Sequence, residues 1–202
     1  MIKRTLDIVG SIVLLVLLAL PMAVIAVLIR FGSPGGALFG QRRAGWRGEG
    51  FVMFKFRTMR TDVDPYGHSP HSRDDPRLTR MGRFLRETSL DELPQLLNVL
   101  AGSMSLVGPR PLYERQAARW DANQRRRLDV RPGISGYAQA FGRGGLTHEE
   151  KIELDLHYVD NSSLWLDAKI LFRTAMNVVT RRGEVYEQRY SSEQEYESDQ
   201  SE

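Results

Sequence analysis

Thr88-Ser-Leu-Asp-Glu-Leu-Pro-Gln-Leu-Leu-Asn-Val-Leu100 sets two adjacent carboxylates, Asp91 and Glu92, at what reads as a helix start. Ser105-Leu-Val-Gly-Pro-Arg-Pro-Leu112 follows closely. A carboxylate at a helix N-terminus lies in favourable dipole potential and stays ionised. Arg110, held between two prolines, is pre-positioned to fork onto phosphate oxygens. Together they form a kit for phosphoryl transfer through an aspartyl intermediate. A local reading competes: Ser89-x-x-Glu92 is also a capping box, satisfying free backbone donors. That reading gives Asp91 no role. Pro94 marks the helix start as well, since proline is tolerated only near the first turn.

These residues need elements to hold them. Leu78–Arg86 reads as a helix with Met81, Phe84 and Leu85 on one apolar face. Leu90–Leu100 is the next, bearing Leu93, Leu96, Leu97 and Leu100. Upstream, Ala37–Gln41 and Phe51–Phe56 read as short strands joined by the Gly45-Trp-Arg-Gly-Glu-Gly50 turn. Residues 62–77 form a polar loop carrying His68 and His71, which read as solvated side chains rather than metal ligands. Downstream, Leu112–Ala122 is expected to be helical, and Arg131–Gly136 to be a turn. The basic run Arg125–Arg127 reads as a solvated or lipid-facing surface that could also help hold a phosphate. Thr147 and Glu150 cap a helix from His148 to about Tyr158. Leu164–Thr180 is amphipathic, and Trp165, Leu171 and Phe172 suit a membrane surface or ordinary core packing equally.

The N-terminus is a membrane element. Ile8 to Ile29 is a run of 22 residues without a charged side chain, or about 33 Å of helix. That length spans a bilayer core of about 30 Å. Two features point instead to a re-entrant helix-break-helix. Pro21 interrupts the run, and basic residues flank both ends, with Lys3 and Arg4 before it and Arg30, Arg42, Arg43 and Arg47 after it. An ordinary kinked span is the alternative. A signal peptide fits poorly, because the run is too long and no cleavage site follows.

Composition narrows the classes. The 202 residues leave room for one compact domain beyond the anchor. With no cysteine, disulfides and thiolate metal sites are excluded. Residues 184–202 carry seven acids and one base, a net −6 against +3 for the whole chain, so the rest is +9. A basic body suits anionic lipid and phosphorylated substrates. No nucleic-acid partner is expected, since zinc-finger spacing and RNP aromatics are lacking. The fold expected is α+β and predominantly helical. It has an anchor over 1–32, a catalytic domain over 33–183 and an acidic disordered tail over 184–202.

Taken together, the motifs resemble the monotopic phosphoglycosyl transferases, or bacterial sugar transferases, from the N-terminus to about Arg182. The resemblance rests on Phe54-Lys-Phe-Arg-Thr-Met59, Ser89-Leu-Asp-Glu-Leu-Pro-Gln-Leu96, Met104–Pro111, Arg131-Pro-Gly-Ile-Ser-Gly-Tyr-Ala-Gln139 and Asp155 in Glu153–Tyr158. It implies transfer of a phosphosugar from a UDP-sugar to polyprenol (undecaprenyl) phosphate, with release of UMP. It also implies Mg²⁺ as cofactor, with Asp91 and Glu92 near it, and a re-entrant anchor on the cytoplasmic face of the bacterial inner membrane. On that resemblance Asp91 is the nucleophile, and Glu92 holds the metal or manages a proton. Arg110 is the main phosphate clamp; Lys55, Arg57, Arg86, Arg143 and Asp155 are further substrate contacts. Partners are then the UDP-sugar, the polyprenol phosphate and the bilayer, and a second copy of the chain stays open. Phe141 and Gly144 stand where the family carries amides, so the sugar preference is not legible. A non-catalytic lipid-binding scaffold is the alternative class, but it has no need for Asp91-Glu92. A lipid-phosphate phosphatase would bring a histidine or cysteine nucleophile motif that this chain lacks.

Overall fold

The computed structural model describes residues 2–64, 70, 72–142 and 146–180. The chain is mostly helical, with two small sheets and one long apolar N-terminal helix. The expected tail, Arg143, Gly144, His68 and His71 lie outside the described residues.

Helix α1 covers Ile2–Gly32. The expected interruption at Pro21 is not seen: the helix runs through it. A proline removes one helical hydrogen bond, and a long apolar run can continue past that loss. Contacts with the rest of the chain concentrate at the two ends of α1. Near the start, Lys3 pairs with Asp167 at 2.6 Å, and Arg4 donates to the carbonyls of Val99 and Leu100. The buried Asp7 Oδ1 accepts from Ser105 Oγ and the Leu106 amide, both at 3.0 Å. Near the end, Ile25 and Ile29 pack against Phe56 and Leu85. Between them, no residue from Ile12 to Pro21 is buried.

Strands β1 (Leu38–Ala44) and β2 (Gly50–Phe56) form the expected antiparallel hairpin, paired from Leu38↔Phe56 to Ala44↔Gly50. The first strand runs three residues further than its apolar pattern indicated. Helix α2 is Arg80–Glu87, capped by the Thr79 side chain on the Gly82 amide. A Cβ at Gly82 would lie 1.9 Å from the Thr58 carbonyl oxygen, so α2 rests directly on the backbone leaving β2. Leu85 is fully buried, whereas Phe84, expected on the same face, is exposed.

The single helix expected over Leu90–Leu100 is split. Leu90–Glu92 is a 3₁₀ turn, and helix α3 is Gln95–Ala101 with Pro94 at its N-cap. Strand β3 (Ser105–Val107) pairs in parallel with β4 (Gly133–Ser135). Half of the expected turn at Arg131–Gly136 is therefore strand. Parallel partners are distant in sequence and leave no hairpin signal to read. Between the two strands, the helix expected over Leu112–Ala122 resolves into α4 (Glu114–Ala118) and α5 (Ala122–Arg125), separated where Asp121 caps the second. Helix α6 (His148–Asn161) carries the expected Thr147–Glu150 capping box, and α7 (Leu164–Thr180) follows. Tyr158 of α6 and Ile170 of α7 pack with Val107 and Ala140, which seats both helices on the β3–β4 pair.

Candidate active site

Three separate elements converge on one carboxylate. Lys55 comes from the end of β2, Glu92 from the 3₁₀ turn, and Arg110 from the loop after β3. Glu92 Oε1 accepts from Lys55 Nζ and from Arg110 Nη2, each at 2.8 Å. These contacts replace the capping box. Ser89 is left-handed, with φ 56°, and its side chain caps nothing, while Glu92 reaches away from the backbone to the two cations. A capping box needs an extended N-cap residue, and the sharp exit from α2 denies Ser89 that conformation.

Asp91, next in the same turn, is 7% exposed. No hydrogen bond among the described residues ties its carboxylate down. Arg86, which donates to Thr58 Oγ1 at 3.0 Å, adds a third positive charge nearby. Burial pushes the Asp91 carboxyl up from its ordinary value; Lys55 opposes this, Glu92 adds to it, and Arg86 and Arg110 oppose it. The expectation of a dipole-held, readily ionised group is thus corrected. A 3₁₀ turn has little macrodipole, and desolvation dominates. For Glu92, burial acts in the same upward direction, but Arg110 and Lys55 outweigh it and hold the carboxyl well below the usual range. Lys55 is itself pushed down by burial, with Glu92 opposing and Arg110 reinforcing.

The other expected contacts divide. Arg86 lies beside Asp91. Arg57 does not join the cluster. It is buried and donates to the Gly36 and Ser33 carbonyls, tying the link after α1 to the end of β2. Arg143 lies outside the described residues. Asp155 is 2% exposed and pairs with Arg127, so it faces the interior rather than an open site. Arg127, expected on a solvated face, is 4% exposed, with its guanidinium stacked on Trp120 at 4.8 Å. A basic triplet gives no sign that one of its members turns inward; only the distant Asp155 decides it.

Among the described residues, no cluster of three or more His, Cys, Asp or Glu side chains could hold a metal. Magnesium needs fewer protein ligands, because one or two carboxylates with substrate phosphates suffice. Both cations meet Glu92 Oε1, which leaves Oε2 and the Asp91 oxygens as a donor set that fits such an ion.

Residues 1–181 match the family described as bacterial sugar transferase. The chain belongs to this family, and so to its sugar-transferring enzymes. It is 44% identical over 185 residues to the sugar transferase EpsL of Bacillus subtilis (strain 168), covering 90% of this chain and 89% of that one. It is 43% identical over 190 residues to the UDP-glucose:undecaprenyl-phosphate glucose-1-phosphate transferase of Caulobacter vibrioides (strain ATCC 19089 / CIP 103742 / CB 15), covering 88% and 70%. With the Escherichia coli (strain K12) protein of the same name it shares 40% over 182 residues, covering 86% of this chain but 39% of that longer one. The long apolar α1, together with this family, makes the enzyme membrane-associated.

Proposed function

We propose that this enzyme transfers a phosphosugar from a UDP-sugar to polyprenol phosphate, in the undecaprenyl class that its relatives' names specify, through a covalent intermediate on Asp91. The observation that carries the reading is Asp91 itself. It is a buried carboxylate without a fixed hydrogen bond, within electrostatic reach of Lys55, Arg86 and Arg110. A membrane scaffold has no use for that arrangement, because burying an unpaired carboxylate works against folding.

In the first step an Asp91 carboxylate oxygen attacks the sugar-bearing phosphorus of the UDP-sugar. A P–O bond forms to Asp91, and the bond from that phosphorus to the bridging oxygen breaks. UMP leaves with the electron pair. In the second step a phosphate oxygen of the polyprenol phosphate attacks the same phosphorus. The acyl-phosphate bond breaks, Asp91 regains its charge, and polyprenyl-diphosphate-sugar is released. Arg110 and Lys55 stand where negative charge gathers on the leaving phosphate, and preorganised cations there lower the barrier. Asp91 and Glu92, with the substrate pyrophosphate, would hold a Mg²⁺, which would further neutralise that charge. Glu92 Oε1 is already engaged by Lys55 and Arg110, which favours a positioning role over proton transfer. Its suited role is to aim Arg110 and Lys55, leaving Oε2 as the atom that would help hold a Mg²⁺.

The same reading gives the membrane geometry. Both ends of α1 are tied to one polar domain, while its middle is bare. Held at both ends by one domain, α1 is read as a monotopic anchor that enters and leaves on one side of the bilayer by bending rather than breaking at Pro21, and its basic flanks put the active site on the cytoplasmic face of the inner membrane.

The test is UMP release from a panel of UDP-sugars before any polyprenol phosphate is added. One equivalent or less per enzyme is expected, with a phosphosugar adduct on Asp91 by mass spectrometry. Asp91→Asn should lose both the burst and turnover. An active Asp91→Asn enzyme, or an adduct on another residue, overturns the assignment.

A further inference from the structure

The buried Arg127–Asp155 pair has no place in the steps above, and it is an expensive structure to keep. Both residues are shielded from solvent, at 4% and 2% exposure. Arg127 Nε and Nη1 and Asp155 Oδ1 find no hydrogen-bond partner among the described residues. A buried ion pair so incompletely satisfied adds little stability, and apolar residues of similar volume often serve as well or better. The geometry shows what the pair does instead. Arg127 Nη2 bonds to Asp155 Oδ2 and also donates to the main-chain carbonyl of Arg110, at 3.1 Å. Trp120 lies against the guanidinium at 4.8 Å and limits its tilt.

The carbonyl of Arg110 is one of several fixings on this loop. On the β4 side, Gly133 N donates to Pro109 O at 3.0 Å, and Gly108 N donates to Ser135 O at 2.9 Å. A Cβ at Gly108 would lie 2.2 Å from the Arg131 carbonyl oxygen, so the loop is pressed against the chain entering β4. Arg127 closes the opposite side. Out of this clamp the Arg110 side chain, 40% exposed, reaches Glu92. A guanidinium that must meet phosphate oxygens at hydrogen-bond distance tolerates little error at its own backbone.

We infer that Arg127, neutralised by Asp155 and seated on Trp120, is a positioning residue that fixes the Arg110 carbonyl and so aims the phosphate-binding guanidinium. Asp155 belongs to this device and does not touch substrate. The inference rests on the transferase reading.

The experiment uses the full-length chain in detergent or nanodiscs. Arg127→Met/Asp155→Leu removes both buried charges together and should fold, with a melting temperature near or above that of the wild type. Its kcat/KM for UMP release should nevertheless fall by about tenfold or more, because an effective clamp depends on ångström-scale placement. Combining it with Arg110→Ala should add less than about twofold to the loss from Arg110→Ala alone, as expected for residues acting through one group. Arg127→Lys keeps the charge but lacks the fork. It should fold and lose activity too, and it serves as the readout if the double variant does not fold. A purely structural pair predicts the reverse: a folded double variant with wild-type kinetics, or losses that add to those of Arg110→Ala. Either result overturns the inference. UDP affinity by calorimetry separates the two claims. If wild type binds UDP but releases UMP from no UDP-sugar, the transferase reading fails. Weaker UDP binding by the double variant still supports the positioning role, and unchanged binding refutes it.

Discussion

Asp91 and Glu92 are neighbours with opposite electrostatic fates, and this sets opposite predictions for them. Asp91 has a folded pKa above its unfolded one, so the folded state holds its proton more tightly. At neutral pH its buried charge works against folding, and that penalty disappears as pH falls through the raised value. Asp91→Asn removes the penalty, so its melting temperature at neutral pH should equal or exceed wild type while the UMP burst is lost. On the proposed mechanism Asp91 attacks as a carboxylate and must be ionised, so the burst rate of wild type should decline with falling pH above the ordinary aspartate value of about 3.9. Glu92 has a depressed folded pKa. Its stabilisation is full above the ordinary glutamate value and is lost as pH falls through the folded one. Glu92→Gln should therefore lower the melting temperature at neutral pH, and should cut turnover by about 10²-fold by releasing Arg110 and Lys55. Thermal melts of both variants across pH test the two signs together.

The junction between α1 and β3 is the element most open to a clean test. Asp7 sits in the second turn of an apolar helix yet is 4% exposed, accepting from a hydroxyl and a main-chain amide of β3. Asp7→Ala leaves the buried Ser105 hydroxyl and the part-buried Leu106 amide without this acceptor, which costs about 1–3 kcal/mol. Chemical denaturation should show that loss. Asp7→Asn keeps an acceptor oxygen and should lose less. Equal stability of Asp7→Ala and wild type would show that α1 is not fastened there.

At the scale of the whole molecule, exposed apolar surface among the described residues includes faces of α1 and α7. Ile12, Val16, Leu17 and Leu20 are exposed on α1, and Trp165 and Phe172, each 70% exposed, stand out on α7. Exposed apolar area of this kind marks a membrane or partner contact. Phe172→Asp should leave the melting temperature in detergent nearly unchanged but shift the enzyme away from liposomes in a flotation assay. Unchanged partition would remove α7 from the membrane face. The topology of α1 is tested separately, on a background free of native cysteine. Single cysteines replacing Ile2 and Ser33 should both resist an impermeant thiol reagent added to intact cells. Labelling of one end alone, from outside, would establish a span.

Local physics determined much of this protein. Two short strand-like runs joined by the Gly45–Gly50 turn specified the hairpin, the Thr147–Glu150 box specified the start of α6, and an uncharged run of 22 residues specified α1. The motif order was enough to point to the family and to single out Asp91, Glu92, Lys55, Arg86 and Arg110, which the fold brings together, but also Arg57 and Asp155, which it places elsewhere. Non-local contacts decided the rest. Ser89-x-x-Glu92 carries every local mark of a capping box, but Lys55 and Arg110 claim Glu92 from β2 and the loop after β3. Arg131–Gly136 looks like a turn until β3 supplies a parallel partner. Arg127 looks solvated until Asp155, 28 residues on, draws it inward. In each case a charge or a backbone amide is satisfied by a group far away in the chain, and only the folded backbone brings that group within reach.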